Sequence, residues 1–478
     1  MKHTSASRPA SGWKSRSAPA SLFLKTSPEM SATIKEFLDQ VVAGGTCTGC
    51  GLCAGLDASQ KSAMRATPKG PRPVIPVDHE IPELIRQCCA GHRIDYPGLY
   101  RQHFGRLPES WLTGIISEVY TGYCTNETIR RNSSSGGVLT AVLCYLLESG
   151  EIDAAVVVTQ GIPEPEKASV VIASTTAEIQ AASQSVYVPV STLDILNRLD
   201  PQKRYAITCL PEQSAALRVL QQQGHANALS IKYILGPYTG TAIYPAAIET
   251  FQRINGVKKN DAVTSLKWRA GEWPGYLEII TRSGKVLQSP KVYYNFLIPF
   301  FVTNASLQSM DFANEFADLA VGDAWSPEFE SQGQGFSVVV SRNEKMTALL
   351  RDLQQKGILS LRPEPLEAAS SMHGHMIDFK KRGSYIRNRM RRMFGRRAPD
   401  FGYKPASVGM KRIMVELVIS AIFVLGKTRL LRLMLYLLPE RIIGPLFNTL
   451  RLKWKKVSRK TKRQGLESYA VVITEKQP

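Results

Sequence analysis

The feature that most constrains this chain is a loop in which three cysteines recur at three-residue intervals, Cys47-Thr48-Gly49-Cys50-Gly51-Leu52-Cys53. In an iron–sulfur cube each thiolate binds a different iron, so a loop that supplies three ligands must curl tightly around the cluster. The intervening glycines permit that curl and leave peptide N–H groups able to donate to the sulfides. The spacing therefore predicts a loop that holds one 4Fe-4S cluster.

The fourth ligand of such a cluster must come from elsewhere. A bacterial ferredoxin run places it four residues after the third cysteine, where this chain has Asp57. The next thiols are Cys88 and Cys89. A tetrahedral zinc site is the main alternative, but zinc sites usually use two separated C-x-x-C pairs. Structural disulfides are disfavoured, because eight cysteines in 478 residues without a secretory signal are typical of a reduced, intracellular protein.

The formal charge of +20 is concentrated near the C-terminus. Between Lys380 and Arg463 there are 24 Lys and Arg residues and three acidic residues. The rest of the chain is close to neutral, so no nucleic-acid channel is expected through it.

Composition and pattern divide the chain into four predicted regions. Residues 1–30 are rich in Ser, Ala, Pro and basic residues without an apolar signal core, which predicts a disordered arm. Residues 31–110 are predicted to form a cluster-binding module, and 111–379 an α/β domain with a mixed sheet. Residues 380–478 are predicted to be a basic, helical tail.

Apolar runs separated by turn residues predict the elements of the α/β domain. A strand from Val119 to Asn126 precedes a Ser- and Gly-rich loop, a helix from Leu139 to Glu148 and a buried strand from Ile152 to Val158, which together favour a βαβ unit. The loop could present unpaired N–H groups to a phosphate or carboxylate, or could be a simple N-cap without a ligand. Further strands are predicted at Tyr205–Thr208, Ser230–Leu235, Phe316–Trp325 and Gly335–Ser341, with an antiparallel hairpin beginning at Ser265.

Two apolar runs in the tail, Ile413–Leu425 and Leu430–Leu438, are shorter than the roughly 20 residues that span a membrane. Their basic flanks are typical of interfacial helices that bind anionic lipid, through residues 380–463. Helices packed on the body with a solvated basic face explain the pattern equally well. Both alternatives remain open from the sequence, which predicts a cytoplasmic protein, either free or peripheral on the inner membrane face.

Residues 44–345 resemble the bacterial branch of the coenzyme F420 hydrogenase/dehydrogenase beta-subunit family. The matching motifs, in order, are the cysteine loop, Cys89-Ala90-Gly91, residues 131–138, Trp273-Pro274-Gly275 and residues 315–325. The resemblance implies an oxidoreductase that passes electrons from a ferredoxin-like donor or a partner redox subunit through iron–sulfur chemistry to a flavin (FAD or FMN) and an unknown acceptor.

This chain departs from the family at a second set of cysteines. The corresponding positions are Glu212, Thr239, Ser306 and Ser309. Hydroxyl and carboxylate groups are poor ligands for soft iron–sulfur centres, so a single cluster is expected. The lysine of the family's serine-lysine-tyrosine motif is replaced by Val186.

The resemblance also assigns the site residues. The cluster ligands are expected to be Cys47, Cys50, Cys53 and Cys89; the flavin-binding residues are expected to be Ser134, Ser135, Gly136, Gly137 and Val138. Glu212 and Asp323 are expected to line the crevice, whereas His373 and His375 are predicted to be structural or exposed. The alternative function is that of a degenerate, non-catalytic relative, a membrane-associated accessory protein of the kind used in surface-polysaccharide synthesis.

Overall fold

The computed structural model describes residues 33–76, 81–290, 295–438 and 440–474. The arm predicted at residues 1–30 lies outside these ranges. Along the described residues the helices are α1 (Ile34–Ala43), α2 (Leu52–Gly55), α3 (Ile85–Cys88), α4 (Tyr96–Phe104), α5 (Glu127–Asn132), α6 (Val138–Glu148), α7 (Thr176–Ala181), α8 (Pro211–Gln222), α9 (Ala226–Leu229), α10 (Ala246–Ile254), α11 (Ile298–Phe301), α12 (Asn304–Gln308), α13 (Pro327–Glu330), α14 (Glu344–Gln355), α15 (Leu366–Asp378), α16 (Ser384–Met393), α17 (Met410–Gly426), α18 (Arg429–Leu435) and α19 (Glu440–Arg463).

The strands are β1 (Ala63–Arg65), β2 (Arg72–Val74), β3 (Glu118–Cys124), β4 (Ala154–Gln160), β5 (Ala168–Ala173), β6 (Tyr205–Thr208), β7 (Ile231–Pro237), β8 (Val263–Ala270), β9 (Tyr276–Thr281), β10 (Val286–Pro290), β11 (Leu319–Asp323), β12 (Ser337–Ser341), β13 (Leu359–Pro363), β14 (Tyr403–Pro405) and β15 (Val471–Ile473). Eight of them form one mixed sheet in the order β13-β3-β12-β11-β7-β6-β4-β5. Its central strands β11, β7, β6 and β4 are parallel, and antiparallel strands flank them. The predicted mixed α/β class is confirmed.

Apolar cores cover both faces of this sheet. Alternate residues of a strand point to opposite faces, and on β4 Val156 belongs to one core while Ala155 and Val157 belong to the other. The first core also contains the residues around the cysteine loop, from Phe37 to Cys88. The N-terminal module therefore packs directly on one face of the sheet.

Two local predictions needed correction. The strands of the expected βαβ unit, β3 and β4, point the same way but are separated in the sheet by β12, β11, β7 and β6. The hairpin predicted from Ser265 is a three-stranded antiparallel sheet in the order β10-β9-β8. In the first case the pairing partners of the two strands come from later in the chain, and in the second the turn at Trp273-Pro274-Gly275 divides one predicted strand into two.

The C-terminal helices are fastened to the body by buried ion pairs. α15 continues without a break through one π-helical turn (Phe379–Gly383) into α16. Asp378 accepts from Arg382 at 2.7 Å and from Arg412 of α17 at 2.8 Å, and both oxygens of Glu416 are engaged by Arg387 and Arg412. The tail boundary predicted at residue 380 therefore falls inside a continuous helix, and packing on the body is observed for the tail's inner faces.

Within the ranges described, no helix is both long enough and apolar enough to cross a membrane.

Candidate cofactor and active site

The cysteine loop is held between α1 and the sheet domain. Thr33 and Glu36 form a capping box at the start of α1, and Phe37, Leu38 and Val41 bury its apolar face. The carbonyl of Val41 then accepts from the backbone N–H groups of Thr46 and Cys47 at the far end. The loop consequently starts from a fixed point, because the helix that precedes it is both capped and packed.

Close backbone contacts fix the other side of the loop. Gly51 has φ of +87°, and a Cβ there would lie 2.7 Å from the backbone nitrogen of Asp194. A Cβ on Gly55 would lie 2.0 Å from the carbonyl oxygen of Leu193. The N–H of Leu193 donates to the carbonyl of Cys50 at 2.8 Å. Glycine is therefore required for the loop to dock on the short 3-10 helix Thr192–Arg198.

Four thiols surround one small, apolar cavity of about 30 Å³. Cys47, Cys50, Cys53 and Cys89 line it, together with Ile85, Pro73 and other apolar residues. Cys88 is not among the lining residues; its buried Sγ lies 3.1 Å from the carbonyl oxygen of Leu84. The structure thus groups the four residues expected as ligands and directs the neighbouring thiol elsewhere.

Four thiols around one cavity are an arrangement that is compatible with a cluster. Among the residues described, no group of three His, Cys, Asp or Glu side chains is placed to share one metal ion. A cluster makes a different demand, since its thiolates bind separate irons around a cube and need only surround the space that the cube fills. Burial raises the pKa of Cys50 to about 11 and that of Cys89 to about 12. Ligation would replace these protons with iron.

A second, larger cavity of about 380 Å³ lies at the carboxyl ends of the parallel strands. Thr208 of β6, Pro237 of β7 and Asp323 of β11 line it. This edge is where open α/β sheets place their ligands, because the loops that follow the strands diverge there. Thr48 and Cys50 line this cavity as well as the thiol cavity. The cysteine loop is therefore the wall that the two cavities share.

The predicted flavin loop forms part of the larger cavity and is rigidly held. Ser134, Ser135, Gly137 and Val138 line it, whereas Gly136 lies behind them. The N–H of Gly136 donates to Ser337 Oγ at 2.9 Å, and its carbonyl accepts from Cys124. Gly137, with φ of +76°, opens α6 without a side-chain cap. The first N–H groups of α6 therefore have no side-chain acceptor at the cavity wall.

Both polar residues predicted for the crevice line the larger cavity. Asp323 Oδ2 accepts from Arg269 Nη1 at 3.2 Å, and the same nitrogen donates to the Tyr187 hydroxyl at 3.1 Å. Glu212 also lines the cavity, and its charge raises the pKa of both the Cys50 thiol and the Lys380 ammonium.

The positions of the second cysteine set lie in or behind the wall of the cavity that also contains a buried lysine. Thr239, Ser306 and Glu212 line the cavity, while Ser309 is buried behind them. The Lys380 ammonium donates to the carbonyl oxygen of Ser306 at 3.0 Å. Burial lowers the pKa of Lys380 to about 8. A cation thus lies where the resemblance would put soft metal ligands.

Sequence reasoning missed several residues of this cavity. Arg269 and Lys380 are buried cations, and Tyr187 follows the replaced lysine of the serine-lysine-tyrosine motif. His373, predicted to be structural or exposed, is buried in the cavity wall between Tyr238 and Phe312, and burial lowers its pKa to about 4. The sequence did not predict that Lys380 is buried, because it begins the basic run, whose charge indicates solvent exposure.

Comparison with known proteins agrees with the motifs. The sequence profile of the coenzyme F420 hydrogenase/dehydrogenase beta-subunit N-terminal domain matches residues 119–197, and that of its C-terminal domain matches residues 202–366. The chain belongs to this family. The family prediction is confirmed. The cysteine loop lies before the matched residues.

Two curated relatives were found. A coenzyme F420-dependent sulfite reductase from Methanocaldococcus jannaschii is 26% identical over 336 residues, which are 64% of this chain and 46% of that protein. A coenzyme F420 hydrogenase subunit beta from Methanothermobacter thermautotrophicus is 23% identical over 271 residues, 52% of this chain and 85% of that protein. This chain therefore spans less than half of the sulfite reductase.

Among solved structures, a chain of the F420-reducing [NiFe] hydrogenase complex from Methanosarcina barkeri matches with a TM-score of 0.48 and 18% identity. The match covers 60% of this chain and 96% of that one.

Proposed function

We propose that this protein is a cytoplasmic iron–sulfur flavoprotein that passes electrons from a ferredoxin-like donor or a partner redox subunit through one 4Fe-4S cluster to a flavin and an acceptor. The observation that carries the proposal is the wall shared by the two cavities. Cys50 contributes to the ring of four thiols and also lines the larger cavity. A cluster held by the ring and a flavin held in the cavity would be separated by the cysteine loop alone.

The residues of the thiol cavity fit a single cluster. Cys47, Cys50, Cys53 and Cys89 would hold it, and the emptied second set would hold none, because serine, threonine and glutamate are poor ligands for soft iron. The cluster would supply one-electron transfer.

The larger cavity fits a flavin. Its volume of about 380 Å³ is within the range of small-molecule sites. The uncapped start of α6 at Gly137 suits a phosphate or an electron-rich ring edge, because helix N-termini favour negative charge. Ser134 and Ser135 border the same wall. A bound flavin would pair single electrons into a two-electron step.

Charged side chains that line the cavity would serve the acceptor. Lys380 has a lowered pKa of about 8, so its ammonium could give up a proton near neutral pH. Glu212 is within electrostatic reach of both Lys380 and Cys50 of the cysteine loop, and would hold the balancing negative charge. Asp323, fixed by Arg269, lines the same cavity and would help to orient the acceptor.

The proposal is tested by analysing the protein purified without oxygen. We expect about four iron and four sulfide per chain, a broad absorbance in the visible range that bleaches on reduction, and one flavin released on denaturation. About eight iron would show that a second cluster binds. Tight zinc without sulfide would overturn the redox function. A cluster without flavin would favour the non-catalytic, membrane-associated accessory role.

A further inference from the structure

The outer faces of α17, α18 and α19 form an extended apolar surface. We call this the C-terminal apolar surface. Its side chains are between 38% (Leu417) and 80% (Leu437) exposed. They are Met410, Met414, Leu417, Val418, Ile422, Leu425, Leu430, Leu433, Leu437, Ile442, Leu446 and Leu450. α17 contacts both α18 and α19. Monomeric proteins rarely expose apolar patches larger than a few hundred Å², so a surface of this kind indicates a binding partner.

The polarity of α17 is the reverse of that in a water-soluble surface helix. Two of its three charged residues, Arg412 and Glu416, are 3% and 0% exposed and face the body, where they form ion pairs with Asp378 and Arg387; Lys411, in its first turn, is exposed. Residues such as Met414, spaced three or four positions apart, face outward instead. A helix at a water interface normally places its apolar stripe against the core. The outer face of α17 is therefore suited to an apolar environment.

The surface is a fixed part of the fold. Leu435 of α18 is buried in the core below, and Ile443 and Phe447 of α19 pack against the same core. Arg432 Nη2 donates to the carbonyl oxygen of Phe300 at 2.8 Å. Because the inner faces of these helices already pack on the body, the outer apolar residues are not needed to complete the core.

The charge beside the surface identifies its partner. α19 carries nine basic residues and one acidic residue, and Lys453, Lys456, Arg459 and Lys460 are exposed in its second half. A second copy of this chain would bring the same positive charge against it, which disfavours self-association. Apolar faces with adjacent Lys and Arg are typical of helices that lie in the interface of anionic lipid.

We propose that the C-terminal apolar surface binds the face of an anionic bilayer, with α17 and α18 at the acyl boundary and the basic half of α19 at the phosphates. The lipid-binding part of the chain is then smaller than residues 380–463, the range considered from the sequence. Lys380, Lys381, Arg387 and Arg412 are buried in the body and cannot reach lipid. The proposal does not depend on the cofactors, since no residue of either cavity takes part.

The test is co-sedimentation of the intact protein with vesicles of phosphatidylglycerol and phosphatidylcholine. Leu430→Glu/Leu437→Glu removes apolar contacts, and Lys453→Gln/Lys456→Gln/Lys460→Gln removes charge. Each cation near an anionic surface strengthens binding roughly fivefold, so the triple variant should bind about 100-fold more weakly. Binding by the wild type should fall at high salt because the charge contribution is screened.

Matched controls carry the same changes elsewhere on the surface. Leu229→Glu/Ile172→Glu replaces two exposed apolar residues, and Lys258→Gln/Lys259→Gln/Lys267→Gln removes three exposed lysines. Both controls should bind like the wild type. Equal losses in variants and controls would overturn the proposal. The proposal would also be overturned if the wild type failed to bind vesicles and instead self-associated through this surface. Sedimentation equilibrium would then show an oligomeric wild type and a monomeric Leu430→Glu/Leu437→Glu variant.

Discussion

A fully buried ion pair joins the C-terminal helices to the rest of the protein. Lys381 and Glu315 are both 0% exposed, and the ammonium donates to the carboxylate and, at 3.0 Å, to the Tyr403 hydroxyl. The other oxygen of Glu315 accepts from the Tyr100 hydroxyl of α4. The N-terminal module, the sheet domain and the C-terminal helices therefore meet at one carboxylate.

Lys381→Met should destabilise the whole protein. The methionine fills a similar volume but leaves Glu315 buried without its counter-charge. Removing one partner of a buried pair costs about 3–5 kcal/mol, which is a large share of the roughly 5–15 kcal/mol that stabilises a typical protein. The double variant Lys381→Met/Glu315→Gln removes both charges, while the glutamine oxygen can still accept from Tyr100. Its stability should lie within about 2 kcal/mol of the wild type.

The measurement is urea unfolding followed by circular dichroism on all four members of the double-mutant cycle. The coupling free energy between Lys381 and Glu315 should be at least about 2 kcal/mol. Lys167→Met is the control, because it breaks a solvent-exposed ion pair, in which Lys167 Nζ lies 2.7 Å from Glu164 Oε1. It should leave the free energy of unfolding unchanged. Additive single effects, or a Lys381→Met variant as stable as the control, would refute the idea that this pair joins the three regions.

Three further predictions concern the sites and the interior. Cys89→Ser should remove most of the iron and sulfide per chain while Cys88→Ser should not, since only Cys89 lines the thiol cavity; the opposite result would move the fourth ligand by one residue. Gly136→Ala should lower the ratio of flavin to protein but not the ratio of iron to protein, because the new Cβ would lie 2.6 Å from the carbonyl oxygen of Gly122. The control Gly409→Ala, whose Cβ meets no atom within 4 Å, should change neither ratio. An unaltered flavin ratio in Gly136→Ala would contradict the assignment of the loop. Burial, and secondly the charge of Glu315, raises the pKa of Asp311 from its ordinary value of 3.8 to about 7. A carboxyl whose pKa is higher when folded loses its stabilising contribution as pH rises from about 4 to 7. That loss is worth up to about 4 kcal/mol in all, of which about 2.6 kcal/mol falls between pH 5 and pH 8. Asp311→Asn should abolish this difference between urea unfolding at pH 5 and at pH 8; parallel pH profiles for the two proteins would count against it.

The sequence predicts those parts of the structure whose signals are local. The cysteine loop is visible because glycines alternate with ligands, and strands such as β6 and β7 are visible as short apolar runs before turn residues. The Ser- and Gly-rich loop before α6 can be recognised because small residues separate one apolar run from the next. Each of these patterns can be evaluated within about ten residues.

Long-range pairing explains what the sequence did not reveal. β3 and β4 are separated in the sheet by strands that come later in the chain, and no local pattern encodes that order. From the sequence, Lys380 and Lys381 are predicted to belong to a solvated basic run, because their acceptors, at Ser306 and Glu315, lie more than 60 residues earlier. A buried cation can be recognised only when the group that compensates its charge is known.

The continuous helix through residue 379 has a consequence for the order in which the protein can form. Glu315 leaves the ribosome 66 residues before Lys381, which at roughly 5–20 residues per second is an interval of about 3–13 s. During this time the carboxylate has no counter-charge, and closing the interior around it would bury an unpaired ion. The region matched by the family profiles ends at residue 366, the first residue of α15. We therefore expect that the family domain, although synthesised earlier, reaches its closed state only after α16 has emerged.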